Sequence, residues 1–90
     1  MDVKFYNNLA ELYLFQARNS LDEKIKNSLN LGIEACDAAI KINPIFGYAY
    51  FNKAKLIQYG IKSKKFSNEM QGQVDELFKK ANKLNPLLQN

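Results

Sequence analysis

The residues able to do chemistry are few, and their spacing does not bring them together. The 90-residue chain has no histidine and a single cysteine, Cys36. That excludes histidine acid–base catalysis, Ser-His triads and ordinary Cys/His zinc sites. Two adjacent acid pairs, Asp22/Glu23 and Asp75/Glu76, come nearest to a carboxylate dyad. Neighbours in a helix point about 100° apart, so neither pair converges on a substrate. Both read better as charge near the positive end of a helix dipole. No glycine-rich phosphate loop and no metal-ligand spacing appears. The expectation is a protein that is not an enzyme, with no catalytic residue, cofactor or metal. Cys36 is expected to be a core thiol, since no basic group lies a turn away to activate it. One cysteine excludes an internal disulfide and suits a reducing, cytoplasmic setting.

The charge is the other chemical resource. The net charge is +4, carried by twelve lysines and Arg18 against nine acids. Such a balance suits acidic partners or nucleic acid. The lysines, however, are spread along the chain, and the densest run, Lys62, Lys64 and Lys65, falls in an expected loop. No aromatic-basic motif accompanies them, which disfavours nucleic acid. A basic helical domain binding nucleic acid or another acidic partner stands as the alternative reading. No apolar stretch approaches the length of a membrane span. The opening "MDVKFYNNLAEL" lacks the apolar run of a secretory signal.

The elements that must position these residues are helices. Hydrophobic residues make up 47% of the chain, with only four glycines and two prolines. Those totals favour one helical domain, 1–90, with one modest core. A first helix is predicted over about 3–18, capped by Asp2, with Phe5, Tyr6, Leu9, Leu12, Tyr13 and Ala17 as its apolar stripe. Asn19 and Ser20 make a turn. A second helix runs over about 22–42 on Ile25, Leu29, Ile33, Cys36 and Ile40, with Ala35, Ala38 and Ala39 beside them. Asn43 before Pro44 ends it, because proline disfavours the α conformation in its predecessor. A third helix spans about 46–59, with Gly60 expected to end it in a left-handed conformation. After a polar connection the last helix starts at Ser67 or nearer Gln71. It buries Val74, Leu77, Phe78, Ala81 and Leu84 and ends at Asn85 before Pro86. The reading is all-α: four antiparallel helices in two hairpins.

The chain also repeats itself. "EACDAAIKINPIF" (34–46) aligns without gaps on "ELFKKANKLNPLL" (76–88), and "YNNLAELY" (6–13) on "YFNKAKLI" (50–57). Glu34, Ala39, Lys41, Asn43 and Pro44 return as Glu76, Ala81, Lys83, Asn85 and Pro86. This pattern resembles the tetratricopeptide (TPR) repeat, W-x2-L-G-x2-Y, then A-x3-F, then P. Repeat 1, about 3–44, places Tyr6, Leu9, Ala10, Tyr13, Gly32, Cys36, Ala39 and Pro44 at the structural positions. Repeat 2, about 46–86, places Tyr50, Lys53, Ala54, Ile57, Val74, Phe78, Ala81 and Pro86 there. The departures are Lys53 for the usual leucine, Cys36 for the usual phenylalanine, and a longer unit. Tyr6 and Tyr50 stand 44 apart and Glu34 and Glu76 stand 42 apart, against about 34 in a standard repeat.

The resemblance implies two TPR-like hairpins in a short right-handed solenoid and a noncatalytic protein–protein interaction module. In TPR arrays the first helices line a groove for a peptide or protein segment. Carried over, that groove takes Lys4, Asn7, Asn8, Glu11, Leu14 and Phe15, with Tyr48, Phe51, Asn52, Lys55 and Tyr59. Glu11 stands where a carboxylate clamp of the chaperone-binding kind wants asparagine, so such a clamp is not implied. The segments "EACDAAIKINP" and "KANKLNPLL" are also similar to TPR-like tails of bacterial eukaryotic-like serine/threonine kinases. That likeness implies a scaffold within a larger signalling protein, with no kinase motif here. Repeat arrays ordinarily need about three units, so self-association as a homodimer through an exposed apolar face of the last helix is expected.

Overall fold

Asp2 begins the first helix by accepting a hydrogen bond from the Lys4 N–H at 3.0 Å. The structure, a computed structural model, describes residues 2–88. Residue 1 and residues 89–90, the ends of the expected 1–90 domain, lie outside the described residues. Helix α1 is Val3–Arg18, α2 is Asp22–Ile42, α3 is Gly47–Lys62 and α4 is Gln71–Leu84. One 3-10 turn, Asn68–Met70, precedes α4, and Ser67 caps it through the Glu69 N–H. The described residues contain no strand, so the protein is all-α.

Two short signals set the break between α2 and α3. Asn43 leaves the helical region at φ −142°, ψ 90°, and Pro44 follows. The Asn43 carbonyl accepts from the Phe46 N–H at 3.0 Å, and its side-chain oxygen accepts from the Ile45 N–H at 3.3 Å. The same turn recurs after α4. Asn85 sits at φ −143°, ψ 96°; its carbonyl takes the Leu88 N–H at 3.0 Å and its side chain the Leu87 N–H at 3.1 Å. Each asparagine N–H also bonds back into its helix, to Ala39 and Ala81 respectively. The repeated sequence therefore makes a repeated local structure.

Successive helices pack in order: α1 on α2, α2 on α3 and α3 on α4, with a smaller contact between α1 and α3. One cluster joins Ala10, Leu14 and Ala17 to Ile25, Leu29, Ala35, Cys36 and Leu56. A second joins Ala54 and Ile57 to Val74 and Phe78. Ile33 and Phe66 touch both clusters and make the core continuous. Leu56 reaches the first cluster from α3 because Gly32 leaves room; a Cβ there would lie 2.7 Å from a Leu56 methyl. Burying such a side chain stabilises by about 1.5–3 kcal/mol.

Three sequence expectations are corrected. Gly60 does not end α3: the helix continues to Lys62, and the left-handed residue is Lys64 at φ 64°. Gly60 instead makes space for the Phe66 ring, which a Cβ would meet at 2.1 Å. The α1 stripe is also shifted. Phe5 and Leu12 are 46% and 50% exposed, whereas Asn7, Ala10, Leu14 and Ala17 are buried. Helix α1 is covered by both α2 and α3, so its inward face differs from the stripe that suits one neighbour. Finally, the stripe of α4 is turned inward as its spacing predicts, so the exposed apolar face of the last helix expected as a dimer surface is not found among the described residues. Val74, Phe78 and Ala81 are buried and Leu77 and Leu84 half-buried, so none of the large exposed apolar groups among the described residues lies on α4.

Candidate partner-binding face

Helices α1 and α3 meet through a buried amide pair. The Asn52 side chain donates to Asn7 Oδ1 at 2.7 Å and, more weakly, to Glu11 Oε2 at 3.4 Å. Asn7 is 8% and Asn52 3% exposed. A buried amide without a partner is costly, so this bond fixes how the two helices sit. The resemblance implied Asn7, Asn52 and Leu14 as groove residues; all three are buried and face the helix interface instead.

Other predicted groove residues do reach the surface. Lys4, Asn8 and Glu11 are exposed on α1, and Phe15 is 64% exposed. On α3, Tyr48 is 42% exposed and its ring lies 5.5 Å from that of Phe46. Phe51 is half-buried. Its ring meets Phe78 edge-on at 5.6 Å, and the Lys55 ammonium sits 5.1 Å from its centroid. That contact makes Phe51 part of the packing between α3 and α4. Lys55 and Tyr59 are half-buried along the same helix.

The structure adds three residues that the repeat pattern did not point to. A cleft of about 550 Å³ is lined by Arg18, Lys55, Gln58, Tyr59 and Lys62. Arg18 follows Phe15 by one helical turn, and Lys62 follows Lys55 by two, which is the only sequence trace of this grouping.

The structural repeat positions behave as packing residues. Ala10, Gly32, Cys36, Ala39, Ala54, Ile57, Val74, Phe78 and Ala81 are buried; Tyr50 is half-buried; Pro44 and Pro86 stand exposed in the turns. Tyr50 donates its hydroxyl to the Pro44 carbonyl at 2.7 Å, tying α3 to the turn before it. Tyr6, Leu9 and Tyr13 are half-buried and line a shallow hollow of about 300 Å³ against α2. Lys53, at the usual leucine position, reaches Asp37 of α2 at 2.7 Å. The Cys36 thiol is fully buried and is pushed up from its ordinary 9.0 to about 12, chiefly by burial and then by the Asp37 charge. It is therefore a protonated, packed thiol rather than a nucleophile.

Among the described residues no cluster of three His, Cys, Asp or Glu side chains could hold a metal, and no helix is long and apolar enough to cross a membrane. Comparison with protein-family models, curated proteins and solved structures found no match.

Proposed function

We propose that this chain is a noncatalytic protein–protein interaction module built as two TPR-like helical hairpins, whose α1–α3 face binds a peptide or protein segment. The observation that carries the reading is that face itself. Phe15 and Tyr48 are large apolar groups held 64% and 42% exposed, on two helices locked together by the Asn7–Asn52 bond. Exposed aromatics on a rigid support suit the anchor role that dominates protein interfaces. The matched Asn43-Pro44 and Asn85-Pro86 turns support the tandem-hairpin reading. On the same reading the module is a scaffold within a larger cytoplasmic signalling protein.

The test is selection of peptides on the folded module from a random display library. Binding is then measured with Phe15→Ala and Tyr48→Ala. Loss of about ten-fold or more in affinity, with the helical circular dichroism unchanged, is expected. Peptides that bind equally well to both variants would refute the assignment of this face.

A further inference from the structure

The geometry points to an anion site in the cleft between the C-terminal turns of α1 and α3, where Arg18, Lys55 and Lys62 take the carboxylates of an acidic partner segment. This rests on the reading of the α1–α3 face as a protein-binding surface and names the chemistry of its occupant.

The cleft, about 550 Å³, has three cations in its lining and no acid. Among the described residues, none of the three forms an ion pair, whereas the half-buried Lys53 and Lys65 are engaged by Asp37 and Asp22 at 2.7 Å each. Like charges gathered without a counter-charge repel one another, and an incoming anion relieves that repulsion. Arg18 and Lys62 are the last residues of their helices and partly offset the negative ends of the dipoles. Lys55 lies two turns inside α3, away from that offset. Its ammonium is steadied against the Phe51 ring at 5.1 Å. Tyr59 and Gln58 add a hydroxyl and an amide, both neutral donors to an anion.

The rest of the face decides between anionic partners. Moving along α1 from Arg18, the next groups on this side are Phe15 and then Glu11, whose carboxylate is held near the Asn52 amide at 3.4 Å. In the register set by the Asn7–Asn52 bond, Tyr59 stands beside Phe15, and Tyr48 lies at the opposite end of α3, level with Lys4. Three cations thus gather at one end, Glu11 and the aromatics interrupt the face, and Lys4 is a lone cation at the far end of α1. A nucleic-acid backbone needs a continuing cationic track. A polypeptide with a short acidic run next to an apolar residue fits the cleft and the exposed Phe15 one turn from Arg18.

The probe is a fluorophore-labelled hexaglutamate peptide with blocked ends, titrated by anisotropy at low salt. One variant carries Arg18→Gln, Lys55→Gln and Lys62→Gln. A control carries Lys24→Gln, Lys26→Gln and Lys41→Gln, three exposed lysines of α2, and so has the same net charge. The cleft variant is expected to bind about ten-fold more weakly, from three partly exposed charge contacts. The control should match the unmodified chain, and added salt should weaken binding in both. Equal weakening in both variants, or no binding by the unmodified chain, overturns the site. So does tighter binding of a thymidine oligonucleotide of equal charge through the same three residues. The two readings separate cleanly. If selected peptides depend on Phe15 and Tyr48 but not on the cleft, the anion site falls and the interaction face stands. If hexaglutamate depends on the cleft while Phe15→Ala and Tyr48→Ala leave every selected peptide unaffected, the face falls instead.

Discussion

Asn52→Ala removes the one buried side-chain bond that crosses from α3 to α1. The lost contacts are the 2.7 Å bond to Asn7 Oδ1 and the 3.4 Å approach to Glu11. The second is long and contributes little. The first leaves the Asn7 carbonyl, on a residue 8% exposed, without its partner. A buried polar group left unpaired costs about 1–3 kcal/mol. Alanine returns up to about 0.7 kcal/mol through its better helix propensity. The expected net loss is about 1–2 kcal/mol, out of a total stability of about 5–15 kcal/mol for a domain. In a domain of this size each kcal/mol moves Tm by about 4–8 °C. Thermal and urea unfolding, followed by far-ultraviolet circular dichroism, read that change. Asn7→Ala should cost a similar amount, because it leaves the Asn52 amide, 3% exposed, with only the long approach to Glu11. The double variant should cost less than the sum of the singles by about 1 kcal/mol, the sign of a direct contact. If Asn52→Ala leaves Tm unchanged and the two changes add, the bridge is not formed. Both amides would then be free to meet a partner, as the repeat resemblance first implied.

The remaining predictions concern packing, capping and pH. Gly60→Ala should destabilise by about 1–2 kcal/mol, because its Cβ would overlap the Phe66 ring at 2.1 Å. Gly72→Ala, with nothing within 4 Å of its Cβ, should be neutral or stabilise by up to about 1 kcal/mol; the same urea titrations test both. Asp2→Ala should cost about 0.5–2 kcal/mol by freeing the Lys4 N–H, seen as faster amide exchange in the first turn of α1. Cys36 should resist thiol reagents in the native state and react on unfolding. Its pKa is higher folded than unfolded, so the folded state holds the proton more tightly. Its contribution is full below pH 9.0 and is lost as pH rises toward about 12, an effect that Cys36→Ala should abolish in alkaline stability scans.

The helix limits were readable wherever a local device set them. Asp2, Asn43-Pro44 and Asn85-Pro86 act through the hydrogen bonds and sterics of adjacent residues, and α1, α2 and the end of α4 fall where those signals place them. The limit at Gly60 was misread because two unlike causes call for glycine. A left-handed cap and a close ring look the same in sequence, and only Phe66 distinguishes them. Phe5 and Leu12 were misassigned because apolar spacing shows that a stripe exists, not how many neighbours cover the helix.

The candidate face was half visible. Phe15, Tyr48, Lys55 and Tyr59 were found through the repeat, since each lies beside a packing position. Arg18 and Lys62 were not, because each looks like an ordinary cation at a helix end and their meeting depends on how α1 lies beside α3. The amino-acid order settled the four helices, the duplicated turn, the core alanines and the absence of histidine chemistry, all matters of residue type or of forces acting over a few residues. Which amides were buried, which aromatics stayed open and which cations shared a cleft were settled only by packing. Asn7 and Asn52 are 45 residues apart, and no local rule acts over that separation; the covered face of each helix follows from the shapes of its neighbours.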